Sequence, residues 1–281
     1  MDVTGAAQSS FERSKFLRSL ARAFGGAVLF SLPLMMTMEM WSLGFYLDRT
    51  RFVLLLLLTL ALLVPLSRVV GFEETHSLTD DLLDALTAWG VGALASVVIL
   101  LVFGVLEIGS SLHEATGKIA LQTVPASLGA ILARGQMGGS SSESDAVEND
   151  RPGYAVKLLI MLGGAVYFAF NVAPTEEMIL ISYKMGPWQA LALIALSIAM
   201  LLAFVFALDF HGGEKLGDDT GPVRLVVRQG LAGYGVAIAV SAYMLWTFGR
   251  TEGVSHYHIA TMITVLGFPA TLGAAAARLI L

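Results

Sequence analysis

Two glutamates in otherwise apolar stretches, Glu39 and Glu177, are the residues whose chemistry most needs an explanation. Each lies two residues after a threonine, Thr37 or Thr175, and directly before a methionine, in the sequences TMEM and TEEM. The second copy carries one more carboxylate, Glu176. An ionisable side chain within a membrane helix costs roughly 2.5–3.5 kcal/mol, and such residues usually mark an ion or proton path.

A proline accompanies each glutamate: Pro33 precedes Glu39 by six residues, and Pro174 precedes Glu177 by three. Proline bends a helix and frees a carbonyl on the preceding turn. That carbonyl, the threonine hydroxyl and the carboxylate would form an oxygen-rich patch suited to a hard metal cation such as Ca²⁺. Neighbouring carboxylates can instead share a proton. Alternatively, the glutamates reach water at the outer interface, or bond to Asn171 and the threonines to pack helices.

The composition indicates which elements must position these side chains. The 281-residue chain is 56% hydrophobic and 14% charged, with a mean hydropathy of +0.74, whereas soluble domains are about 25% charged. Its apolar blocks are long enough to cross a bilayer as helices. We therefore expect an all-α polytopic membrane protein with eight transmembrane helices, at about 24–47, 52–70, 82–106, 113–135, 156–183, 187–208, 224–248 and 257–280.

The distribution of positive charge predicts the orientation of these spans. An even number of spans leaves both termini on one side, which carries 12 of the 17 Lys and Arg residues. The positive-inside rule places that side in the cytoplasm. Glu39 and Glu177 would then lie about 5–10 Å beyond the bilayer midplane, toward the outside. Residues 1–23 are predicted as an amphipathic segment in the cytoplasmic interface, with an extension of the first span as the alternative.

The chain also repeats itself on either side of a flexible, acidic linker at 137–153. GGAVLF matches GGAVYF at an offset of 138 residues, as TMEM matches TEEM, and PASLGAILAR matches PATLGAAAAR at 144. Between them the offset is 145. Ordered matches predict two four-helix repeats, at 24–136 and 154–281. Four spans each make them parallel repeats about a pseudo-twofold axis along the membrane normal, with Glu39 and Glu177 facing a shared centre.

Charges near the helix ends are weaker candidates. Asp84 and Arg228, at the cytoplasmic ends of the two third helices, could form a gate-like ion pair across the axis. The outer loops hold three histidines and a glutamate whose spacing is not diagnostic of a metal site: His113, Glu114, His256 and His258. Because no catalytic motif occurs, we expect no enzyme, no nucleic-acid partner and no cofactor other than a bound cation. The absence of cysteine excludes disulfides and thiolate sites.

At LPLMMTMEMW and APTEEMILI the sequence resembles an uncharacterised family of bacterial integral membrane proteins. The resemblance covers most of the chain and implies a multi-pass protein of a prokaryotic inner membrane. It implies no activity, so the functional prediction depends on the residues themselves.

These residues favour a cation channel or other cation-permeation protein. Glu39 and Glu177, helped by Glu176, Thr37 and Thr175, would form its binding or selectivity site, and dense carboxylates suit a divalent cation such as Ca²⁺. In a homodimer, four repeats would surround a pore with carboxylates. A proton-coupled transporter is the alternative, and the channel is preferred because the spans lack obvious broken segments apart from the two prolines. A non-transporting scaffold or sensor, in which the glutamates only pair helices, is the third hypothesis.

Overall fold

The structure is a computed structural model that describes residues 3–70, 77–107, 109–137, 153–210 and 230–280. No strand occurs in these ranges. They contain ten α-helices, which we label in chain order: α1 (Val3–Met35), α2 (Met38–Tyr46), α3 (Arg49–Val70), α4 (Leu78–Val102), α5 (Leu112–Met137), α6 (Tyr154–Val172), α7 (Glu176–Lys184), α8 (Pro187–Phe210), α9 (Ala232–Thr247) and α10 (His256–Ile280).

Five of these helices have the length and composition of a membrane span: Arg49–Val69, Leu78–Val102, Tyr154–Val172, Pro187–Phe204 and His256–Arg278. A sixth is obtained if the pair Leu17–Met35 and Met38–Tyr46, which is bent by 91°, crosses as one span. Within the described ranges, α5 is not apolar enough and α9, with 16 residues, is too short. The all-helical class is confirmed, and the count of eight spans is not.

The chain divides into two compact units, the first formed by Met1–Phe45 and Leu56–Ser144. The helix at its centre is α5, which packs against both α1 and α4. Every residue from 121 to 133 is buried. Because this part of α5 contacts protein, it needs less hydrophobicity than a span that faces lipid. This explains why α5 is less apolar than the five helices that could each span a membrane.

Within the first unit, α1 and α5 touch through their backbones at two glycines. A Cβ atom added to Gly26 would lie 2.7 Å from the carbonyl oxygen of Gly129 and would overlap the Ala133 side chain. A Cβ atom added to Gly129 would lie 2.6 Å from Cβ of Phe30. Only residues without a side chain allow two helices to approach this closely.

The second unit is formed by Tyr46–Leu55 and Asp145–Leu281. Its central helix is α10, which packs against α6, α7, α8 and α9. Here α6 and α10 touch at Gly164, where an added Cβ would lie 2.6 Å from Cβ of Ala277 and against the carbonyl oxygen of Gly273. The last helix is thus the centre of each unit, and glycine sets its distance from the first.

Two predicted spans prove to be interrupted, which is a correction to the sequence analysis. The span predicted at 24–47 contains the end of α1 and the start of α2, and that at 156–183 contains the end of α6 and the start of α7. In contrast, α1 runs without a break from Val3. The interfacial placement of residues 1–23 stays a prediction, as does the linker at 137–153, of which residues 138–152 lie outside the described residues.

Candidate cation site at the helix breaks

The first helix break separates α1 from α2. The Thr37 amide donates a hydrogen bond to the carbonyl oxygen of Leu34 (3.0 Å), and its hydroxyl donates to that of Pro33 (2.8 Å). Glu39 lies in the first turn of α2, where the partial positive charge of a helix N-terminus stabilises a carboxylate. The threonine therefore ends one helix and precedes the start of the next.

Side-chain donors bind the carbonyl groups that this break frees. The Gln122 amide donates to the carbonyl oxygen of Leu34 (3.3 Å), and the Trp41 indole N–H donates to that of Met35 (2.7 Å). These donors satisfy backbone oxygens that would otherwise be exposed at a helix end. In the first unit, the carbonyl oxygens at the break beside Glu39 therefore already accept hydrogen bonds from side chains of the protein.

The second break lies between α6 and α7. Both the amide and the hydroxyl of Thr175 donate to the carbonyl oxygen of Val172, at 3.1 and 2.9 Å. The carbonyl oxygen of Pro174, which is buried, accepts a 2.5 Å hydrogen bond from Nη2 of Arg250. In the second unit, a guanidinium of the protein therefore already binds a carbonyl oxygen at the break.

The three glutamates lie on the outer side of their helices. Glu39 is half-buried, and Glu176 and Glu177 are exposed. The methionines that follow the two motifs' glutamates, Met40 and Met178, are buried instead. Because adjacent helical residues point about 100° apart, burying the methionine turns the carboxylate away from the unit's core.

The length of α6 changes the depth expected for Glu177. Helix α6 has 19 residues and is about 28 Å long, close to the roughly 30 Å thickness of the hydrocarbon layer. Glu177 comes five residues after the end of this helix. If α6 crosses the bilayer by itself, Glu177 would lie near the end of the span rather than about 5–10 Å beyond the midplane. The depth of Glu177 stays a prediction.

An open pocket of about 550 Å³ lies along the exposed side of α7. It is lined by two carboxylates, three other residues of α7 and one guanidinium: Glu176, Glu177, Ile179, Leu180, Tyr183 and Arg250. In the described part of the chain, neither carboxylate comes within 4.0 Å of a positively charged nitrogen. The pocket therefore carries two carboxylates against one guanidinium, and this excess of negative charge suits a cation.

Contacts between distant parts of the chain occur elsewhere in the second unit, one of them to the pocket residue Tyr183. The Tyr183 ring stacks on His258, with 4.2 Å between ring centroids. Arg51 forms an ion pair with Glu252 (2.6 Å) and donates to the carbonyl oxygen of Trp246 (2.9 Å), and its guanidinium lies 4.9 Å from the indole ring. No local pattern signals these contacts, since Arg51 and Trp246 are 195 residues apart.

Two predicted pairings, of Asp84 with Arg228 and of Glu39 with Glu177, stay untested. Asp84 is buried on α4 and Arg228 lies outside the described residues, so their gate pair stays a prediction. Glu39 belongs to the first unit and Glu177 to the second, and a metal ion shared by them also stays a prediction. Among the described residues, no group of three or more His, Cys, Asp and Glu side chains could hold a metal ion.

Comparisons with known proteins identify the family. None of the curated proteins and none of the solved structures matches the chain. A family model described as "Putative integral membrane protein (DUF2391)" matches residues 19–281, which is nearly the whole chain. This match confirms the resemblance read from the sequence and agrees with the apolar helices of both units. The chain belongs to this family of integral membrane proteins.

Proposed function

We propose that the protein is a cation transporter in which Glu39 and Glu177 attract the cation at the ends of two broken helices. The observation that carries the proposal is the position of the breaks. The first break lies within a helix pair that could cross as one span, the second follows a helix long enough to cross by itself, and each starts a nine-residue helix with a carboxylate in its first turn. Transporters commonly bind ions at such discontinuous helices, where charged groups and helix ends meet.

Correspondences between the units support the proposed repeat. The bounds of α2 and α7 differ by 138 residues at both ends. The two glycines of the α1–α5 contact and their counterparts in the α6–α10 contact are separated by 138 and 144 residues, as the repeat predicts. Positive φ angles of 69° and 71° occur at Gly104 and Gly249, 145 residues apart. A duplicated transport unit accounts for these matches at helix starts, crossings and turns.

The breaks also favour a transporter over a channel. The preference for a channel excepted the segments beside Pro33 and Pro174, and the helices end at both of these segments. Helix segments that meet at a break can move against each other, as alternating access requires. A cation channel with a carboxylate ring remains the alternative, and its selectivity would then depend on Glu39 and Glu177 together.

The bonding of the breaks suggests how the cation is held. Carbonyls at both breaks accept hydrogen bonds from side chains of the protein, whereas Glu176 and Glu177 are exposed and lack ion pairs in the described ranges. The carboxylates are therefore the groups that attract the cation, and it keeps part of its hydration. Because Glu177 follows a helix long enough to span the bilayer, we propose that both glutamates lie at the outer entrance, with both termini cytoplasmic as the charge distribution predicts.

Ion flux into liposomes that contain the purified protein tests this proposal. We expect uptake of at least one of Ca²⁺, Na⁺, K⁺ and H⁺, and slower uptake for Glu39→Gln and for Glu177→Gln. Glu107→Gln is the matched control, because Glu107 is an exposed carboxylate on the turn between α4 and α5. If Glu39→Gln and Glu177→Gln take up ions as fast as the wild type and the Glu107→Gln control, the two glutamates are not the site.

A scaffold without transport is the second candidate, favoured by the exposure of Glu176 and Glu177. A carboxylate in a first helical turn stabilises the helix by about 0.3–1 kcal/mol even without a ligand. If the glutamates serve only this purpose, Glu176→Gln and Glu177→Gln lower the free energy of unfolding by that amount. The folded wild-type protein would then carry no flux of any of the four ions.

A further inference from the structure

Unsatisfied buried polar atoms concentrate at one place in the second unit. Among the described residues, six buried side-chain nitrogen or oxygen atoms have no hydrogen-bond partner, and four of them lie where α9 ends and α10 begins: Tyr243 Oη, Thr247 Oγ1, Arg250 Nε and His258 Nδ1. Leaving such an atom unbonded costs roughly 1–3 kcal/mol. Groups of this kind are normally satisfied by buried water.

Three of these residues follow one another along α9 and the turn after it. Tyr243 and Thr247 are four residues apart and share one face of the helix. Their hydroxyls lie close enough to interact with each other and have no other hydrogen-bond partner among the described residues, and Thr247 is fully buried. Arg250 follows in the turn, where its amide donates to the carbonyl oxygen of Leu245 (2.9 Å). The guanidinium of Arg250 also lines the Glu176/Glu177 pocket.

The first unit lacks this polar series. At the offset of 145 residues, Tyr243, Thr247 and Arg250 correspond to three valines: Val98, Val102 and Val105. Valine is well accommodated on an apolar helix face, so replacing all three with polar residues costs stability unless they bind something. The series is thus a specific feature of the second unit and calls for a ligand that both donates and accepts hydrogen bonds.

We infer that Tyr243, Thr247 and Arg250 hold a file of buried water that continues the Glu176/Glu177 pocket inward along α9. Water bridges the two hydroxyls and accepts a hydrogen bond from Nε of Arg250. The guanidinium stands between the pocket and the file, and a fixed positive charge there repels cations while water passes. The cation therefore stays on the outer side of Arg250. This last step rests on the proposed function, whereas the water file does not.

The absence of cysteine from the chain allows a direct test with single-cysteine variants. Only the thiolate reacts with methanethiosulfonates, and dry apolar surroundings suppress its formation. Thr247→Cys is compared with Leu245→Cys, since both positions are fully buried and lie two residues apart. With the neutral hydroxyethyl methanethiosulfonate, we expect Thr247→Cys to react about tenfold or more faster, as one unit of pKa difference would give. Equal rates would overturn the water file.

Two further measurements complete the test. The positively charged aminoethyl methanethiosulfonate has nearly the same size as the neutral reagent, so we expect it to react more slowly with Thr247→Cys and to recover speed when Arg250→Gln is added. Equal rates for both reagents in the presence of Arg250 would contradict the role of the guanidinium.

In the unmodified protein, hydroxyl radicals should oxidise Tyr243 faster than Tyr167, which is also half-buried. Equal oxidation of the two tyrosines would again count against the water file. None of these experiments needs an ion gradient, so their outcome is independent of whether the protein transports cations.

Discussion

Adding one methyl group at the crossing of α6 and α10 should strongly destabilise the second unit. In Gly164→Ala, the new Cβ would lie 2.6 Å from Cβ of Ala277 and against the carbonyl oxygen of Gly273. The obstructing oxygen belongs to the backbone and cannot rotate away, so α6 and α10 must separate. Forcing extra volume into a packed core typically costs about 1–3 kcal/mol. Because the obstruction is backbone, we expect a loss of free energy of unfolding of about 3 kcal/mol.

The matched control is Gly235→Ala on α9, where an added Cβ meets nothing within 4 Å. Alanine is a better helix former than glycine by about 1 kcal/mol, so this variant should be slightly more stable than the wild type. Gly26→Ala in the first unit should lose as much as Gly164→Ala, because it also meets a glycine carbonyl and an alanine side chain.

Unfolding in mixed detergent micelles, followed by far-ultraviolet circular dichroism, measures these differences. We expect the midpoint for Gly164→Ala to fall well below that for Gly235→Ala. If the two variants unfold at the same detergent composition, the close approach of α6 and α10 is wrong. A large loss for Gly164→Ala with none for Gly26→Ala would contradict the correspondence of the two units.

Two further predictions concern ion pairs. Glu252→Gln should lower the free energy of unfolding by less than about 1 kcal/mol, because Glu252 is 67% exposed. Arg51→Ala should cost more, about 1.5–3 kcal/mol, since it also removes a charged hydrogen bond and a ring contact; equal losses in the same unfolding assay would contradict this. Lys118→Met should lower the free energy of unfolding less than Glu114→Ala does. Without its partner, Glu114 can be hydrated, whereas Lys118 leaves an unpaired charge buried. The opposite order of losses would refute this reasoning.

Helix positions could be predicted because long apolar runs determine them. The span predicted at 52–70 is α3 (Arg49–Val70), and that predicted at 257–280 is α10 (His256–Ile280). Hydropathy performed less well for α5, since a helix enclosed by protein is not selected for contact with lipid. The number of spans was therefore harder to predict than the positions of the helices.

The helix breaks were missed although the residues signalled them. A threonine followed by acidic residues is typical of a helix start, and Thr175 does precede α7, with Glu176 and Glu177 in its first turn. The sequence analysis interpreted Thr37 and Thr175 as cation ligands because the apolar run continues on both sides. The prolines predict a bend, but a proline alone does not show that a helix ends, and Pro33 lies within α1.

The partners of the candidate site could not be predicted from local patterns. Gln122 reaches the first break from 88 residues away, and Arg250 reaches the second from 76. Such contacts depend on how the last two helices pack against the first, which composition does not specify. Local patterns therefore predicted carboxylates beside the breaks but not the donors that bind the carbonyl oxygens there.

The central claim is that Glu39 and Glu177 act together in moving a cation across the membrane. Its most direct test is the initial rate of cation uptake into proteoliposomes by the wild type and by Glu39→Gln/Glu177→Gln, with Ca²⁺, Na⁺, K⁺ and H⁺ measured separately. We predict that the wild type takes up at least one of these ions and that the double variant, though folded, loses this uptake. Folded wild-type protein that moves none of the four ions, or a double variant that transports at the wild-type rate, would contradict the claim.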